Sequence, residues 1–341
     1  MNKSLKAQQS SAGIRLPYLD YARVFVAFLV IYGHTLLKTE DLVRPHIYAF
    51  HMPFFFLVSG MLHKYLGFIA WEKYLKTLII PFLFFNCVFF ILWPLLSNID
   101  VWEGNTSFEK GVFVTYWNSL QNTIINVFKG KTPPDGPTWF LLALLWCKLL
   151  ADSISRRNWI IPIILLVISG AALIGLHNKT LLRIGNAFMV MPFFYGGFYF
   201  KKKIQQWCEK RGALLAGIGL VLLNIPLTLL NGRVSTDAVW FGQLHAPINV
   251  VVFYVNAFAT SLGLLAIFMK FKSRSYITTS AKALISILCI QTLFVYTFRN
   301  HCDQTNLLLD IIVSVVIFVL CVLIHQLLDR YLPFAVGKYK K

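Results

Sequence analysis

The amino-acid sequence predicts an all-α membrane protein of about ten transmembrane helices. Hydrophobic residues occupy 57% of the 341 positions and charged residues only 13%, about half the charged share of an ordinary soluble domain. The apolar residues fall into runs of about 20, which is the length that crosses a bilayer, and Lys, Arg, Gly and Pro collect between the runs. This pattern excludes a soluble core.

Apolar windows bounded by polar breaks define the predicted spans in order along the chain. The spans cover residues 18–37, 46–66, 76–97, 138–151, 159–176, 184–200, 212–230, 246–269, 276–298 and 306–328. Residues 112–128 are only moderately apolar, so we expect an interfacial helix there. The chain then divides into an N-terminal tail (1–17), a membrane domain (18–332) and a basic C-terminal tail (333–341).

The basic residues indicate the orientation of these spans. The net charge of +18 could suggest nucleic acid, but the Lys and Arg residues lie in short loops and form no long basic stripe, so we expect no nucleic-acid partner. Lys and Arg concentrate in cytoplasmic loops. With both termini in the cytoplasm, 22 of them fall inside, 9 fall outside, and Arg23 lies within the first span. The sequence therefore predicts cytoplasmic termini.

The first span carries three ionisable residues, Asp20, Arg23 and His34. A charge within a bilayer costs about 2.5 to 3.5 kcal/mol even on the lenient insertion scale, so such residues usually face a protein interior or a polar cavity. Arg23 and His34 are eleven residues apart, which places them on one helix face about 16 Å apart along the axis. That face could line a tunnel, or Arg23 could simply pair with Asp20 while His34 sits at the opposite interface.

The second span returns across the membrane with His51 and Ser59. If the loop between the two spans lies at the outer surface, His51 enters near the depth of His34, and Ser59 lies near the depth of Arg23. Two histidines at matched depth favour acid–base chemistry or a proton path. The six cysteines occur singly, without a CxxC pair, and are expected to be inert packing residues.

These segments resemble the acyltransferase-3 family of membrane acyltransferases, especially its fucose 4-O-acetylase-like branch. The resemblance rests on the run RLPYLDYAR at 15–23, on His34, which ten intervening residues separate from Arg23, and on FHMPFFFLVSG at 50–60. The segments PTWFLLAL at 137–144 and FFYGG at 193–197 are similar to later family segments. Gln291 stands where many members carry a histidine.

The resemblance implies transfer of an acyl group, usually acetyl, from cytoplasmic acyl-CoA to a hydroxyl of a cell-surface or lipid-linked glycan. It implies His34 as the catalytic histidine and Arg23 as a donor-binding residue, and it implies a multi-pass protein of the bacterial cytoplasmic membrane, in contact with membrane lipid. A neutral histidine suits the base that such a transfer needs. A permanently charged guanidinium suits the phosphates of coenzyme A.

Further site residues follow from the predicted topology and, for Gln291, from the resemblance to the family. We expect His51 to share in catalysis, Ser59 and Lys64 to bind the donor, and Asp20, Trp139 and Gln291 to line the acceptor site or cavity. Trp139 could equally be an interfacial anchor. The lysines at 201–203 could bind phosphate or could simply mark a cytoplasmic loop. Ser59 could carry an acyl-enzyme intermediate or pack a helix together with the following glycine.

Two other classes of function compete with the enzyme. A transporter or flippase could use the same polar helix face, but the two halves of the chain show no clear inverted repeat. A scaffold or sensor would leave Arg23 and His34 without a use. No metal is expected, because the sequence contains no HExxH motif, no Walker loop and no clustered acidic pair.

Overall fold

The computed structural model describes residues 16–36, 40–65, 71–98, 112–131, 134–153, 181–302 and 306–339. This part of the chain is helical apart from its loops and one isolated antiparallel bridge between Ser235 and Trp240. The predicted span 159–176 lies outside the described residues.

The helices follow one another in the order of the predicted spans. They are α1 (Pro17–Thr35), α2 (Glu40–Tyr48), α3 (His51–Leu62), α4 (Trp71–Tyr74, a π-helical turn Leu75–Ile79, and Ile80–Asn98), α5 (Val112–Phe128), α6 (Trp139–Ser153), α7 (Ile184–Cys208), α8 (Ala213–Leu222), α9 (Asn224–Asn231), α10 (Ile248–Phe268), α11 (Ser275–Lys282), α12 (Leu284–His301) and α13 (Leu307–Tyr331). Short 3₁₀ turns precede α6 and α7 and follow α13.

Four helices in the described part of the chain are long and apolar enough to cross a membrane, and a bent pair raises the number to five. The four are Trp71–Trp93, Ala213–Asn231, Ile248–Phe268 and Leu307–Tyr331. Hydropathy and length thus support a multi-pass membrane protein. The sequence predicted about ten spans, which is more than the four or five that these described helices support. Helices α3 and α6 are too short to qualify, with 12 and 15 residues.

Two predicted spans are interrupted in the structure. The span 46–66 begins within α2, and a turn at Ala49 and Phe50 separates α2 from α3. The span 276–298 consists of α11 and α12, which meet at an angle of 72°. The helix before each break is more polar than the helix after it, but a hydropathy window of about 19 residues averages over both.

Buried Arg44 fastens α2 to the end of α1. Its Nε atom donates to the carbonyl of Gly33 at 2.9 Å, and its Nη2 atom donates to the carbonyl of Leu36. The last carbonyls of a helix have no partner within the helix, and a cation is favourable there. The side chain of Arg44 is only 4% exposed, so this contact both satisfies the buried guanidinium and fixes α2 against α1.

Two glycines bring the backbones of α3 and α7 together. A Cβ atom on Gly60 would lie 1.9 Å from the carbonyl oxygen of Phe194, and one on Gly197 would lie 2.0 Å from that of Leu57. Small residues permit such close approach between membrane helices. The pair holds α3, which carries His51 and Ser59, in a fixed position against α7.

Candidate active site

Three lysines meet at one end of the helix bundle around a cavity of about 380 Å³, here called the lysine cavity. Lys64 follows α3, Lys73 lies in the first turn of α4, and Lys148 lies on α6. The Nζ atom of Lys148 stands 5.4 Å from the ring centre of Tyr74. Ser59 completes the polar lining. Three cations at one opening make this cavity attractive to a polyanion.

A buried contact between His63 and Asp152 fixes the walls of the lysine cavity. The His63 Nε2 atom lies 3.0 Å from Asp152 Oδ1, and the Tyr74 hydroxyl donates to the other carboxylate oxygen. The ring of His63 packs against Phe194 and Phe198. This cluster ties together α3, α4, α6 and α7.

The middle cavity, of about 210 Å³, adjoins the lysine cavity. The two share Ser59, Leu62 and Lys148 in their linings. Arg23 and Thr77 add polar groups, and the other lining side chains are apolar residues of α3, α4, α6 and α12. A largely apolar space of this kind suits a chain with few polar groups better than a sugar.

The histidine cavity, of about 220 Å³, lies beyond the middle cavity. Phe140 and Leu288 line both and form the boundary between them. The polar and aromatic side chains around the histidine cavity are His34, His51, Tyr48, Trp139, Ser235, Thr236, Asp237 and Tyr296. Arg23 and His34 therefore border different cavities along the one helix α1.

Two residues at the end of α2, Ile47 and Tyr48, lie within hydrogen-bond distance of the two histidines. The His51 Nδ1 atom lies 3.0 Å from the carbonyl oxygen of Ile47. A carbonyl can only accept, so this nitrogen carries the proton and the Nε2 atom of neutral His51 carries a lone pair. The His34 Nδ1 atom lies 3.1 Å from the hydroxyl of Tyr48, and this bond can form in either direction.

A polar network shapes the loop before α6. The peptide N–H of Asp135 donates to Asn86 Oδ1 at 3.0 Å, and Asn86 Nδ2 donates to the hydroxyl of Thr138 at 2.9 Å. Burial raises the pKa of the Asp135 carboxyl well above its ordinary value, which favours the neutral acid. The loop places Trp139 against the histidine cavity.

A hairpin between α9 and α10 covers one side of the histidine cavity. The Arg183 Nη1 atom donates to the carboxylate and to the carbonyl of Asp237, both at 2.8 Å. Asn186 Nδ2 donates to the carbonyls of Thr236 and Asp237 at 2.7 and 2.8 Å. These contacts hold a half-exposed carboxylate at the cavity wall.

The structure places the predicted site residues in three groups. Arg23 and Ser59 border the middle cavity, His34 and His51 border the histidine cavity with Trp139, and Lys64 borders the lysine cavity.

The other predicted residues line none of the three cavities. Asp20 accepts a hydrogen bond from the Arg23 guanidinium and so helps to fix its position. Gln291 is 1% exposed, and its amide nitrogen lies 3.5 Å from the carbonyl of Leu288. The lysines at 201–203 lie on α7 outside these linings.

Sequence reasoning missed Lys73, Lys148, Tyr48 and Asp237 as members of the site. Tyr48 lies three residues before His51, and this short spacing is the one local signal in the sequence that could have indicated Tyr48 as a site residue. The other three are brought in by contacts between distant segments. In the described residues, no group of three or more His, Cys, Asp or Glu side chains could hold a metal ion.

Fold and site together define a multi-pass helical membrane protein with cavities in series between a cationic end and a pair of histidines. A family model described as an acyltransferase domain, that of the acyltransferase-3 family, matches residues 16–326. The chain therefore belongs to the acyltransferase-3 family. No curated protein and no solved structure matches the chain. The match to the fucose 4-O-acetylase-like branch stays a prediction.

Proposed function

We propose that the protein transfers an acyl group, with acetyl as the first candidate, from acyl-CoA to a hydroxyl of a cell-surface or lipid-linked glycan. The observation that carries this proposal is the series of three adjoining cavities, of which the middle cavity and the histidine cavity border α1. Cations stand at one end, apolar side chains in the middle and two histidines at the other end. Acyl-CoA has the same order of parts: phosphates, a thin pantetheine arm and a thioester.

The donor would enter from the lysine cavity. Its phosphates would lie among Lys64, Lys73 and Lys148, and its arm would pass Arg23 through the middle cavity. Arg23 and His34 are separated by about 16 Å along the helix axis, so an extended arm is needed to bring the thioester from one to the other. We place the lysine cavity at the cytoplasmic face of a bacterial inner membrane, with both termini on that side.

The acceptor would enter the histidine cavity from the opposite side. Trp139 offers an aromatic face to a sugar ring, and Asp237 offers a carboxylate to its hydroxyls. Nε2 of His34 would take the proton of the attacking hydroxyl as its oxygen bonds to the acyl carbon. The C–S bond then breaks, and the imidazolium returns the proton to the departing thiolate of coenzyme A.

Direct transfer is favoured over an acyl-enzyme on Ser59. Ser59 borders the lysine and middle cavities, whereas both histidines border the histidine cavity. A nucleophilic hydroxyl needs a base within hydrogen-bond reach. His63 and Lys148 line the lysine cavity together with Ser59, but in the described part of the chain neither is hydrogen-bonded to the Ser59 hydroxyl, and His63 Nε2 is bound to Asp152 instead. The apolar boundary at Phe140 and Leu288 also argues against passage of a whole sugar, which a transporter would require.

The test uses purified protein in detergent with labelled acetyl-CoA and a panel of methyl glycosides that includes methyl fucoside. Transfer is followed as release of the coenzyme A thiol and as gain of an acetyl group on the glycoside. His34→Gln should lower the rate at least 100-fold, because general-base catalysis contributes about 10² to 10⁴. The control is His245→Gln, an exposed histidine outside the three cavities. A folded His34→Gln protein with the wild-type rate would refute the assignment, and proteoliposomes that move a glycoside without donor would favour a transporter.

A further inference from the structure

The end of α2 presents one hydrogen-bonding group to each of the two histidines. The carbonyl of Ile47 binds Nδ1 of His51, and the hydroxyl of the next residue, Tyr48, lies 3.1 Å from Nδ1 of His34. The Tyr48 ring stands 5.7 Å from the His34 ring and 5.0 Å from the His51 ring, measured between centroids. Two consecutive residues thus orient both imidazoles of the histidine cavity.

Tyr48 is itself held firmly in place. Arg44, one turn earlier in α2, binds the terminal carbonyls of α1, so α2 cannot rotate without breaking a buried contact. A Cβ atom at Gly33 would lie 3.2 Å from the Tyr48 ring, so only glycine lets the ring approach this closely without adjustment. The guanidinium of Arg233 stands 6.0 Å from the centre of the Tyr48 ring, a distance typical of a cation–π contact.

The direction of the bond between Tyr48 and His34 decides what His34 can do. If the hydroxyl donates, the proton of neutral His34 lies on Nε2, and that atom cannot act as a base. If Nδ1 donates, Nε2 keeps its lone pair. Among the described residues, Nε2 of His34 makes no hydrogen bond with a protein atom, and His34 lines the histidine cavity.

We propose that Tyr48 is the positioning residue of His34: its hydroxyl oxygen accepts the Nδ1 proton and leaves the Nε2 lone pair directed at the acceptor. The kinetic part of this inference rests on the proposed acyl transfer, and the tautomer part does not. The arrangement uses the same logic as a protease triad, in which the partner of Nδ1 sets tautomer and ring orientation. Here a neutral phenol takes the place of a carboxylate, so it fixes the ring without adding a negative charge.

The test combines nitrogen-15 NMR of histidine-labelled protein with steady-state kinetics. The His34 signal is identified by its loss in His34→Gln. In the wild type it should report a proton on Nδ1, and in Tyr48→Phe a substantial share of the proton should move to Nε2. With acetyl-CoA and the methyl glycosides, Tyr48→Phe should lower kcat about 10- to 100-fold while the KM for acetyl-CoA stays unchanged.

Two further variants serve as comparisons for Tyr48→Phe. Tyr254→Phe removes a hydroxyl that donates to the carbonyl of Met189 at 2.8 Å, outside the three cavities, and should change neither readout. Gly33→Ala pushes against the Tyr48 ring but keeps its hydroxyl, so it should change both readouts in the same direction by less.

Each outcome decides between the two ideas. A wild-type His34 protonated on Nε2, or a tautomer that is the same in Tyr48→Phe, would overturn the role of Tyr48 whether or not the protein transfers acyl groups. A wild type that shows the expected tautomer but no acyl transfer would refute the proposed function alone.

Discussion

Replacing Lys148 by methionine should weaken binding of the donor more than any other single change at the lysine cavity. Lys148 is half-buried and lines both the lysine and middle cavities, whereas Lys64 and Lys73 are exposed. Two unit charges at 4 Å interact by about 1 kcal/mol in water and about 4 kcal/mol at an effective dielectric of 20. For the half-buried Lys148 we expect a loss of binding free energy between these two values, about 2 kcal/mol, which raises Kd roughly 30-fold.

The exposed lysines should show smaller effects of about 1 kcal/mol each, or roughly fivefold in Kd. Binding is measured with labelled acetyl-CoA and competed with adenosine 3′,5′-bisphosphate, which carries phosphates but no pantetheine arm. Raising the salt concentration should weaken binding to the wild type more than to Lys148→Met, since screening acts on the charge that was removed.

The matched control for this prediction is Lys202→Met. Lys202 is exposed on α7 and lines none of the three cavities, but it belongs to the same predicted cytoplasmic side. Its loss should leave Kd unchanged. Equal effects of Lys148→Met and Lys202→Met would show that only the general positive charge of that side matters, and the reasoning from the cavity would be refuted.

Two further predictions concern helix packing and the passage between the middle and histidine cavities. Gly60→Ala should lower the free energy of unfolding by about 1 to 3 kcal/mol and the thermal midpoint with it, because the new methyl group would meet the Phe194 carbonyl. The control is Gly219→Ala, since a Cβ atom there has no neighbour within 4 Å. Equal midpoints for the two variants would contradict the close packing of α3 and α7. Leu288→Phe should slow transfer while leaving the Kd for acetyl-CoA unchanged, since Leu288 stands between the middle and histidine cavities; an unchanged kcat would argue against passage there.

Helix periodicity and hydropathy predicted the parts of the site that depend on one or two neighbouring helices. The eleven-residue spacing between Arg23 and His34 places them along one helix, and the hairpin argument pairs His51 with His34 and Ser59 with Arg23. The structure places these pairs at the histidine and middle cavities respectively. Positions along one helix can be predicted in this way because the rise and turn of a helix are fixed by its backbone. The chemical roles of these residues stay predictions.

Contacts between distant segments could not be predicted in the same way. His63 and Asp152 are 89 residues apart, and Arg183 and Asp237 are 54 residues apart. Hydropathy assigns a helix to each segment but gives no information on which helices become neighbours. For the same reason Lys148 looked like an ordinary cytoplasmic lysine, although the fold brings it to the lysine cavity.

Breaks within apolar runs were also hidden from the sequence. Residues 276–298 read as one span, yet the chain bends by 72° between α11 and α12. The turn at Ala49 and Phe50 similarly frees α2 to pack on α1, and this turn is what allows Tyr48 to reach His34. A long hydropathy window averages over the polar residues of α2 and α11, so it gives no sign of either bend, and tertiary contacts decide the geometry.

The proposed acyl transfer requires one donor molecule to extend from the lysine cavity to the histidine cavity. A photoreactive acyl-CoA with a diazirine in its acyl chain measures this directly, by mass spectrometry of the crosslinked peptides. We expect crosslinks to peptides around His34 or His51, and adenosine 3′,5′-bisphosphate should abolish them by competing at the lysine cavity. Crosslinks confined to peptides around Lys64 and Lys148, or crosslinks near the histidines that the bisphosphate does not reduce, would contradict the account.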